Sequence, residues 1–403
     1  MGLGLILRAR ARDSESFGAI EQLIDARFHD LVVRSASDEG RYVVQLHPAA
    51  EDVEFSMDDG VIVVSAKTST VGPGYHAFLC ELLHRLGGEL DLAWTAGEDE
   101  GDETGYFLTS DRGALEGEML AWLRGLCGML AEQIDQGSTG FMISLPIDTV
   151  FEFEGALATP MGPRDAAWVS RVHGDPRQGI DLFPWWEPGR GARYLRDRAI
   201  TRMWTEVRWR EPVSESEQEL LEAIDDDLGA AHEADSSLEL PWAEWAEIAG
   251  LLGYDDPTSG RGARRPATIG YRRNLVRVSL TGGWTVRVPG HMSTEFDDEG
   301  TWSAFTPGRT IWMSSFRIGD ADAPTLTAAE TLPKRDPKGD PIELPDLPPE
   351  LAYRAYTSTT NEGHPQLTLQ IAIPHRIAVF TIVHEDPHDL DWAKRTASSV
   401  RHG

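Results

Sequence analysis

A run of thirteen residues divides this chain into two parts with different folding patterns. "DDPTSGRGARRPA", residues 255–267, is rich in Gly, Pro, Ser and Asp, a composition typical of a linker. Before it, short β-branched runs alternate with helical patterns, whereas after it the runs follow one another as a β-meander. We therefore predict a boundary near residue 262, between domains 1–261 and 262–403. A further division of the first domain, into 1–145 and 146–261, stays open.

The charge of the chain changes at the same place. The formal net charge is −29, and residues 1–260 carry 49 acidic and 20 basic side chains, whereas residues 261–403 carry 17 of each. Such a field repels phosphate backbones and anionic lipid, and it accelerates encounter with a basic protein. The charge therefore predicts a basic protein partner and argues against nucleic acid. A role in solubility alone is the other explanation of the acidic excess.

The cysteines and the hydrophobic runs bear on the compartment. Cys80 and Cys127 lie in apolar helical patterns, where a free cysteine behaves as a small hydrophobic residue. The start, "MGLGLILRARARDSE", has too short an apolar run for a signal peptide, and no apolar window is long enough to span a membrane. Only four of the 37 basic residues are lysine, a bias typical of GC-rich bacterial genomes. We expect a cytoplasmic bacterial protein without a membrane span.

The first domain has the pattern of an α/β fold, with mixed sheets and several helices. Asp58, Asp59 and Gly60 join two β-branched runs and predict a hairpin. Helices are predicted from about Tyr75 to the glycines at 87 and 88, and over 111–135, 214–234 and 241–254. The core face predicted for the second of these helices comprises Leu115, Met119, Trp122, Leu126 and Met129.

The second domain has the pattern of an α+β fold, with an antiparallel meander sheet and a terminal helix over 389–402. A Trp-led strand runs into "VRVP" and an acidic hairpin, and an aromatic strand, an irregular Pro-rich middle, three more strands and the helix follow. This order resembles the PsbP-like superfamily, which includes DcrB-type proteins and the Eag-type chaperones of secreted effectors. The residues that carry the resemblance are Trp284, Val288, Pro289, Phe305, Trp392 and Val400.

The resemblance covers about the last 130 residues, and it implies a binding module without catalysis, commonly a platform for a partner. An antiparallel sheet with helices over one face leaves its other face free to hold a helix or a peptide. Trp302 and Trp312 are our candidates for that free face. Burial of both in the core is the alternative, because aromatic residues in strands are usually buried.

A second candidate binding segment is the run "FPWWEPGRGARYLRDR", residues 183–198. Trp185 and Trp186 are adjacent, so in an extended chain they point to opposite sides, and one of them is expected to face outward. Arg190 and Arg193 can pair with Glu187 or with a partner carboxylate, or stack on an indole. We predict partner contacts here, with packing between domains as the alternative.

Motifs for chemistry are absent from the sequence. GxSxG, HExxH, CxxC, Walker and kinase patterns do not occur, and we predict no catalytic residue, metal or cofactor. "VGPGYH" reads as a turn, and the stripe His76, Cys80 and His84 spans about 12 Å of helix, too far for one ion. Capping at a helix start explains the acids of "HEDPHDLD", residues 384–391.

These observations predict a non-enzymatic binding protein of the immunity-protein or effector-chaperone type. Two alternatives stay open. One is an enzyme of unknown class with a cleft near Trp185, in which His173, Asp181 and Arg193 would be the polar groups. The other is a subunit of a structural scaffold.

Overall fold

The computed structural model describes residues 2–11, 15–97, 100–146, 148–259, 266–298, 300–319, 326–334 and 338–403. The boundary predicted at residue 262 lies outside these ranges. The chain forms two compact units. The first unit consists of Met1–Leu145, Phe153–Val207 and Ser214–Gly270, and the second consists of Pro146–Glu152, Arg208–Val213 and Tyr271–Gly403. Two short segments that precede the linker in the sequence therefore belong to the second unit.

A five-stranded antiparallel sheet forms the base of the first unit. Its strands are β1 (Gly4–Arg10), β2 (Arg34–Asp38), β3 (Arg41–Gln45), β4 (Val53–Asp58) and β5 (Val61–Lys67), in the order β1-β5-β4-β3-β2. Asp59 and Gly60 join β4 to β5 with φ angles of 47° and 74°. Positive φ at both central residues is the geometry of a type I′ turn, so the predicted hairpin is confirmed.

Two helices pack on this sheet, α1 (Glu15–Phe28) and α2 (Pro73–Leu90). α2 continues through Gly87 and Gly88, so its predicted end at these glycines is wrong. The helix ends where Asp91 adopts the left-handed conformation with φ 53°. Gly87 serves a packing role instead, because a Cβ atom there would lie 2.8 Å from the carbonyl oxygen of Leu92.

A second hydrophobic core of the first unit packs residues from 115–130 against residues from 168–172 and 182–183. The described part of this unit contains further helices and short strands. They are α3 (Tyr106–Thr109), α4 (Arg112–Asp135), α5 (Ala166–Gly174), α6 (Ala192–Thr205), α7 (Glu215–Ala234) and α8 (Trp242–Leu252), with a 3-10 helix at Pro176–Leu182 and the short strands β6 (Phe141–Met142), β8 (Leu157–Thr159) and β9 (Gly162–Arg164). The β6–β8 pair is parallel and the β8–β9 pair is antiparallel.

Helix α4 has the bounds that the sequence predicts, but its buried face is rotated about the helix axis relative to the predicted core face. Asp111 caps its first turn by accepting a hydrogen bond from Ala114 N. Leu123 and Cys127 are fully buried, whereas Met129 is 49% exposed. The inclusion of Met129 in the core is wrong, because α5 and the 3-10 helix pack on α4 along the side that carries Leu123.

The second unit contains two antiparallel sheets. β7 (Thr149–Phe151), β10 (Leu275–Leu280), β11 (Trp284–Pro289) and β19 (Arg401–His402) form a four-stranded sheet in the order β19-β11-β10-β7. β12 (Ser293–Phe296), β13 (Trp302–Thr306), β14 (Arg309–Arg317), β15 (Asp340–Ile342), β16 (Ala352–Thr359), β17 (Pro365–Ile373) and β18 (Arg376–His384) form a seven-stranded meander in the order β12-β13-β14-β18-β17-β16-β15. The predicted combination of an α/β first part with a meander sheet and a terminal helix is confirmed.

The described residues of the second unit also form the α-helices α9 (Ala328–Thr331) and α10 (Leu390–Ser398). The terminal helix is shorter than predicted, because residues 401–402 leave it to pair with β11. Ser399 secures this change of direction by accepting a hydrogen bond from Arg287 N at 2.9 Å. Within the described residues, no helix combines the length and the apolar character that crossing a membrane would require.

Candidate functional site

The seven-stranded sheet buries one face, and most side chains of its other face are half-buried. Along β14, Ile311 and Met313 are buried, whereas Trp312 between them is 42% exposed. The buried face also holds Phe380 and Ile382 of β18, and α10 packs against β17 and β18. Side chains alternate between the two faces of a strand, so one covered face predicts one solvated face.

The other face is organised around Trp312, which is exposed, whereas Ser303 beside it is 8% exposed. The strand register places Ser303 and Thr381 beside Trp312 on the neighbouring strands, and Thr368 and Tyr356 further along the same row. The name open face is used for these five side chains together with the residues that lie two positions before and two positions after each of them on the same strand. Hydroxyl groups predominate along its central row, and the indole is its most exposed aromatic group there.

One end of the open face is covered. α9 and the residue that follows it, Leu332, pack on Ile377 and Ala372. Thr327 and Glu330 fix the start of this short helix as a capping box, in which each side chain binds the other residue's backbone N–H. The part of the sheet around Trp312 lies outside this packing.

Trp302 belongs to the core, so its assignment to a partner-binding face is wrong. Its side chain is 1% exposed and lies opposite Met313 in the strand register, on the buried side of the sheet. Trp302 and Trp312 are both strand residues with aromatic side chains, and only the register separates them. Directly paired residues share a face, which places Trp302 with Met313 and Trp312 with Ser303.

The second candidate segment is held against the start of α2. Gly74 N donates a hydrogen bond to Trp185 O at 2.9 Å, and Trp185 N donates to Val71 O at 3.0 Å. A Cβ atom on Gly74 would lie 2.3 Å from Cδ1 of Trp185. The glycine of "VGPGYH" therefore makes room for this indole, and the interpretation of that motif as a turn fits the observed contacts.

Trp185 is 1% exposed, so it is a core residue and cannot contact a partner directly. Its ring packs 5.2 Å from Phe78 and 4.3 Å from Tyr194, and its Nε1 donates to Gly189 O at 2.9 Å. Trp186 points elsewhere and is half-buried, with its ring centroid 5.3 Å from that of Phe183. The two indoles thus differ in environment, as the sequence predicts for neighbours in an extended chain.

A cleft of about 450 Å³ lies beside this segment, within the first unit. Its polar lining is mainly acidic. The charged residues that line it are Asp181, Glu187, Arg193, Arg196, Asp197 and Asp235. The sequence predicts Asp181 and Arg193 as cleft residues, and both line it. It does not point to Asp197 and Asp235, because nothing in their sequence context distinguishes them from surface acids.

Ion pairs occupy most of the charged groups in the cleft. Arg193 pairs with Glu187 at 2.7 Å, which is one of the partners that the sequence suggests, and Arg196 pairs with Asp197 at 2.7 Å. Burial raises the pKa of Asp197, and the hydrogen bond from Arg196 opposes that rise. Arg190 pairs with Asp30 and does not line the cleft.

His173 lies apart from the cleft. Its Nδ1 is 3.3 Å from the carbonyl oxygen of Arg124 on α4, and its ring sits over Gly128, where a Cβ atom would be 2.9 Å from Cε1. The prediction of His173 as a cleft group is therefore wrong. The last turn of α5 carries it towards α4 instead.

Among the described residues, one group of metal-capable side chains comes together, and it differs from the predicted stripe. His76 and Cys80 meet Asp102, with their ligand atoms within 4.8 Å of one another. His84 is absent from this group because its ring stacks on Phe107 at 4.2 Å. Asp102 lies too far along the chain for residue spacing to reveal it.

The hydrogen bonds of this group favour a structural role. His76 is fully buried, with Nδ1 2.8 Å from Thr68 Oγ1 and Nε2 3.0 Å from Asp102 Oδ1. Asp102 also accepts from the backbone N–H groups of Thr104 at 2.8 Å and Phe107 at 2.6 Å. Burial raises the pKa of Asp102, but the hydrogen bond from His76, together with those from Phe107 N and the Thr104 hydroxyl, lowers it to about 2.

Cys80 completes the group as a neutral thiol. It is 1% exposed, and burial raises its pKa, which is the opposite of what a nucleophilic or metal-binding thiolate requires. Both nitrogens of the His76 ring already lie within hydrogen-bond distance of neighbours. The group therefore connects α2 to the loop before α3.

The acidic segment before α10 is also structural. Asp386 caps a 3-10 turn by accepting from His388 N at 2.9 Å. Asp389 occupies the N-cap position of α10, yet its carboxylate makes no capping bond and instead accepts two hydrogen bonds from Arg309, at 2.7 and 2.6 Å. The prediction that an acid of this segment caps the last helix is therefore wrong, since Asp386 caps the 3-10 turn before it and Asp389 ties α10 to β14.

Neither a comparison with models of known protein families nor a search of curated proteins gives a match for this chain.

Proposed function

We propose that this protein is a non-enzymatic binding protein of the immunity-protein or effector-chaperone type, which holds a protein partner on the open face of its second unit. The exposure of Trp312 in the middle of that face carries the proposal. Tryptophan is enriched among the residues that dominate binding energy. Burial of its large ring against a partner removes much apolar surface from water and so contributes strongly to the binding free energy. Ser303 and Thr381 flank it with short side chains, so a partner can reach the ring.

The shape of the open face suits a helix or an extended segment of the partner. A sheet face presents rows of side chains to which such a segment can bind, and α9 closes this face at one end. The resemblance to the PsbP-like superfamily implies the same role for this part of the chain. Both arguments point to recognition by side chains, since the strands around Trp312 already pair with one another along both edges.

The charge of the first unit favours a basic partner. This unit carries 46 acidic and 21 basic residues. A field of that sign attracts cationic proteins from a distance and raises their association rate. The two cysteines are both free and buried, which suits the reducing cytoplasm that we propose as the location of the protein.

The experiment is affinity capture from cells of the source organism with three versions of the full chain. Wild type is compared with Trp312→Ala and with Phe296→Ala. Phe296 is 54% exposed, but it pairs with Trp302 and so lies on the other side of the sheet. We expect one protein to be retained by wild type and by Phe296→Ala and to be lost with Trp312→Ala. Equal retention by all three versions, or by none, contradicts the proposal.

A second candidate function, binding or conversion of a small molecule, is favoured by the cleft of the first unit. Its volume falls within the range of small-molecule sites, and Asp197 is a nearly buried carboxylate with a raised pKa. A fragment screen by NMR tests this candidate. It predicts fragments that bind wild type and fail to bind Asp197→Ala. Fragments that bind both proteins alike, or none at all, contradict it.

A further inference from the structure

A groove of about 670 Å³ in the second unit is bordered by strands β10 and β11 and by helix α10. Asp346 is the one acidic residue among those lining it. Apolar contacts come from Leu275, Pro289 and Trp392. The basic residues that line it are Arg277, Arg287, Arg395 and Arg401. In a chain with a formal charge of −29, this concentration of positive charge calls for a physical explanation.

Arg277 and Arg287 lie directly opposite each other in the β10–β11 register. Like charges in directly paired positions destabilise a sheet, so folding alone does not account for them. Glu152 neutralises Arg287 by accepting a hydrogen bond from its Nη2 at 2.7 Å. Among the described residues, Arg277 has no ion-pair partner, and its guanidinium remains available to an anion.

The end of α10 supplies the other two guanidinium groups. Arg395 is in the last turn of the helix, where the helix dipole favours a cation. Arg401 donates from Nη1 to the carbonyl oxygens of Ser398 and Val400, at 2.8 and 2.7 Å, so its side chain is held at the groove. The dipole explains Arg395 by itself, but it does not explain why two strand arginines face the same space.

We propose that this groove binds a small organic oxyanion, with Arg277 and Arg395 as its principal charged contacts. The planar guanidinium group matches phosphate and carboxylate oxygens in pairs, which makes arginine suited to such ligands. The groove volume lies within the range of small-molecule sites, and the apolar wall fits the carbon skeleton of the ligand. Phosphate esters and dicarboxylates share this chemistry.

The overall negative charge does not prevent such binding. Interactions between exposed charges are screened beyond about 8 Å at physiological salt. Residues 261–403 carry equal numbers of acidic and basic side chains, and four arginines but one acid line the groove, so its local charge favours an anion. This groove is separate from the open face. If it binds no anion, the proposal that the open face binds a protein partner is unaffected.

Isothermal titration calorimetry of the full chain tests the proposal, with inorganic phosphate, glycerol 3-phosphate and succinate as probes. We expect saturable binding of at least one probe, with a Kd that rises tenfold or more in Arg277→Ala and in Arg395→Ala. Arg317→Ala is the matched control, because Arg317 is an exposed arginine on β14 that does not line the groove. It should bind as wild type does. Tighter binding of the phosphates identifies a phosphate ester as the ligand class, and tighter binding of succinate identifies a dicarboxylate.

Circular dichroism melting curves confirm that each variant is folded before titration. Removal of Arg277 relieves a like-charge contact, so we expect its melting temperature to equal or exceed that of wild type. The proposal is overturned if no probe binds at millimolar concentration, or if folded Arg277→Ala and Arg395→Ala bind every probe as tightly as Arg317→Ala does.

Discussion

At the scale of single residues, the buried group around Asp102 shows how a site with catalytic residue types can be purely structural. His76, Cys80 and Asp102 are the residue types of a nucleophilic triad, yet the thiol is buried and its pKa is raised. The carboxylate is saturated by hydrogen bonds from the histidine and from two backbone N–H groups. These bonds favour the ionised form of Asp102, and the stability they supply should depend on pH.

Asp102 should contribute to stability above about pH 4 and lose that contribution towards pH 2. Its pKa is 3.8 ordinarily and about 2 in the folded protein, so the folded state resists protonation over that interval. The linked free energy is about 2 kcal/mol. Urea unfolding from pH 5 to pH 2 measures it. The wild-type free energy of unfolding should fall by about that amount more than that of Asp102→Asn.

Glu118→Gln, which changes an exposed carboxylate on α4, controls for the general effect of acid. Its unfolding free energy should follow that of wild type across the whole range. Parallel curves for wild type and Asp102→Asn would show that the Asp102 carboxylate contributes nothing specific.

At the scale of elements, the contact between the start of α2 and the segment at Trp185 organises the first unit. The helix begins at Pro73, and Gly74 in its first turn allows the backbone and the indole of Trp185 to approach closely. Trp185 in turn packs on Phe78 and Tyr194. Gly74 and Trp185 are more than a hundred residues apart in the chain, and they can pack together because position 74 has no side chain.

Gly74→Ala should lower the free energy of unfolding by about 1–3 kcal/mol, because the new methyl group would overlap the indole and the carbonyl oxygen of Glu187. Gly88→Ala in the same helix is the matched control. A Cβ atom at position 88 would meet no atom within 4 Å beyond its chain neighbours and its own helix backbone, so this change should stabilise the protein by up to about 1 kcal/mol through helix propensity. Denaturant unfolding curves measure both. A loss of stability of equal size in the two variants would contradict the packing role of Gly74.

Local patterns in the sequence predict elements better than they predict which face an element presents. The type I′ hairpin at Asp59 and the bounds of α4 follow from turn chemistry and capping, which depend on neighbouring residues. The separation of Trp302 from Trp312 depends on the register between β13 and β14, which no local pattern contains. The meeting of Arg277 with Arg287 is of the same kind.

The candidate site was therefore predictable in part. The sequence points to the second domain and to Trp312 among its exposed aromatics, and to a cleft that Asp181 and Arg193 line. It also includes Trp185 among the candidate partner contacts, which is wrong because its buried indole packs beside Gly74, a glycine far away in the sequence. Long-range packing decides such cases, and alternation along a strand or helix cannot.

In the whole molecule, we assign different roles to the two units: the first increases the rate of association with the partner, and the second decreases the rate of dissociation. Most of the negative charge belongs to the first unit, whereas the exposed tryptophan belongs to the second. Long-range charge affects mainly how fast two proteins meet, and buried aromatic contacts affect mainly how slowly they separate. The two contributions can be measured separately once the partner has been captured.

Salt should slow association with the captured partner without changing its dissociation to the same degree. We expect the association rate constant to fall on the order of tenfold between low and high ionic strength. Surface plasmon resonance over a series of salt concentrations provides both rate constants. An association rate that is independent of salt would contradict the role of the acidic unit, and Trp312→Ala should act mainly on dissociation.

Photocrosslinking from position 312 tests whether the open face binds the partner. A photoreactive phenylalanine replaces Trp312 in one protein and Phe296, on the opposite side of the sheet, in another. Our account predicts that the captured partner crosslinks from position 312 and not from position 296. Crosslinking from position 296 alone, or equally from both positions, would contradict the assignment of the open face as the partner-binding surface.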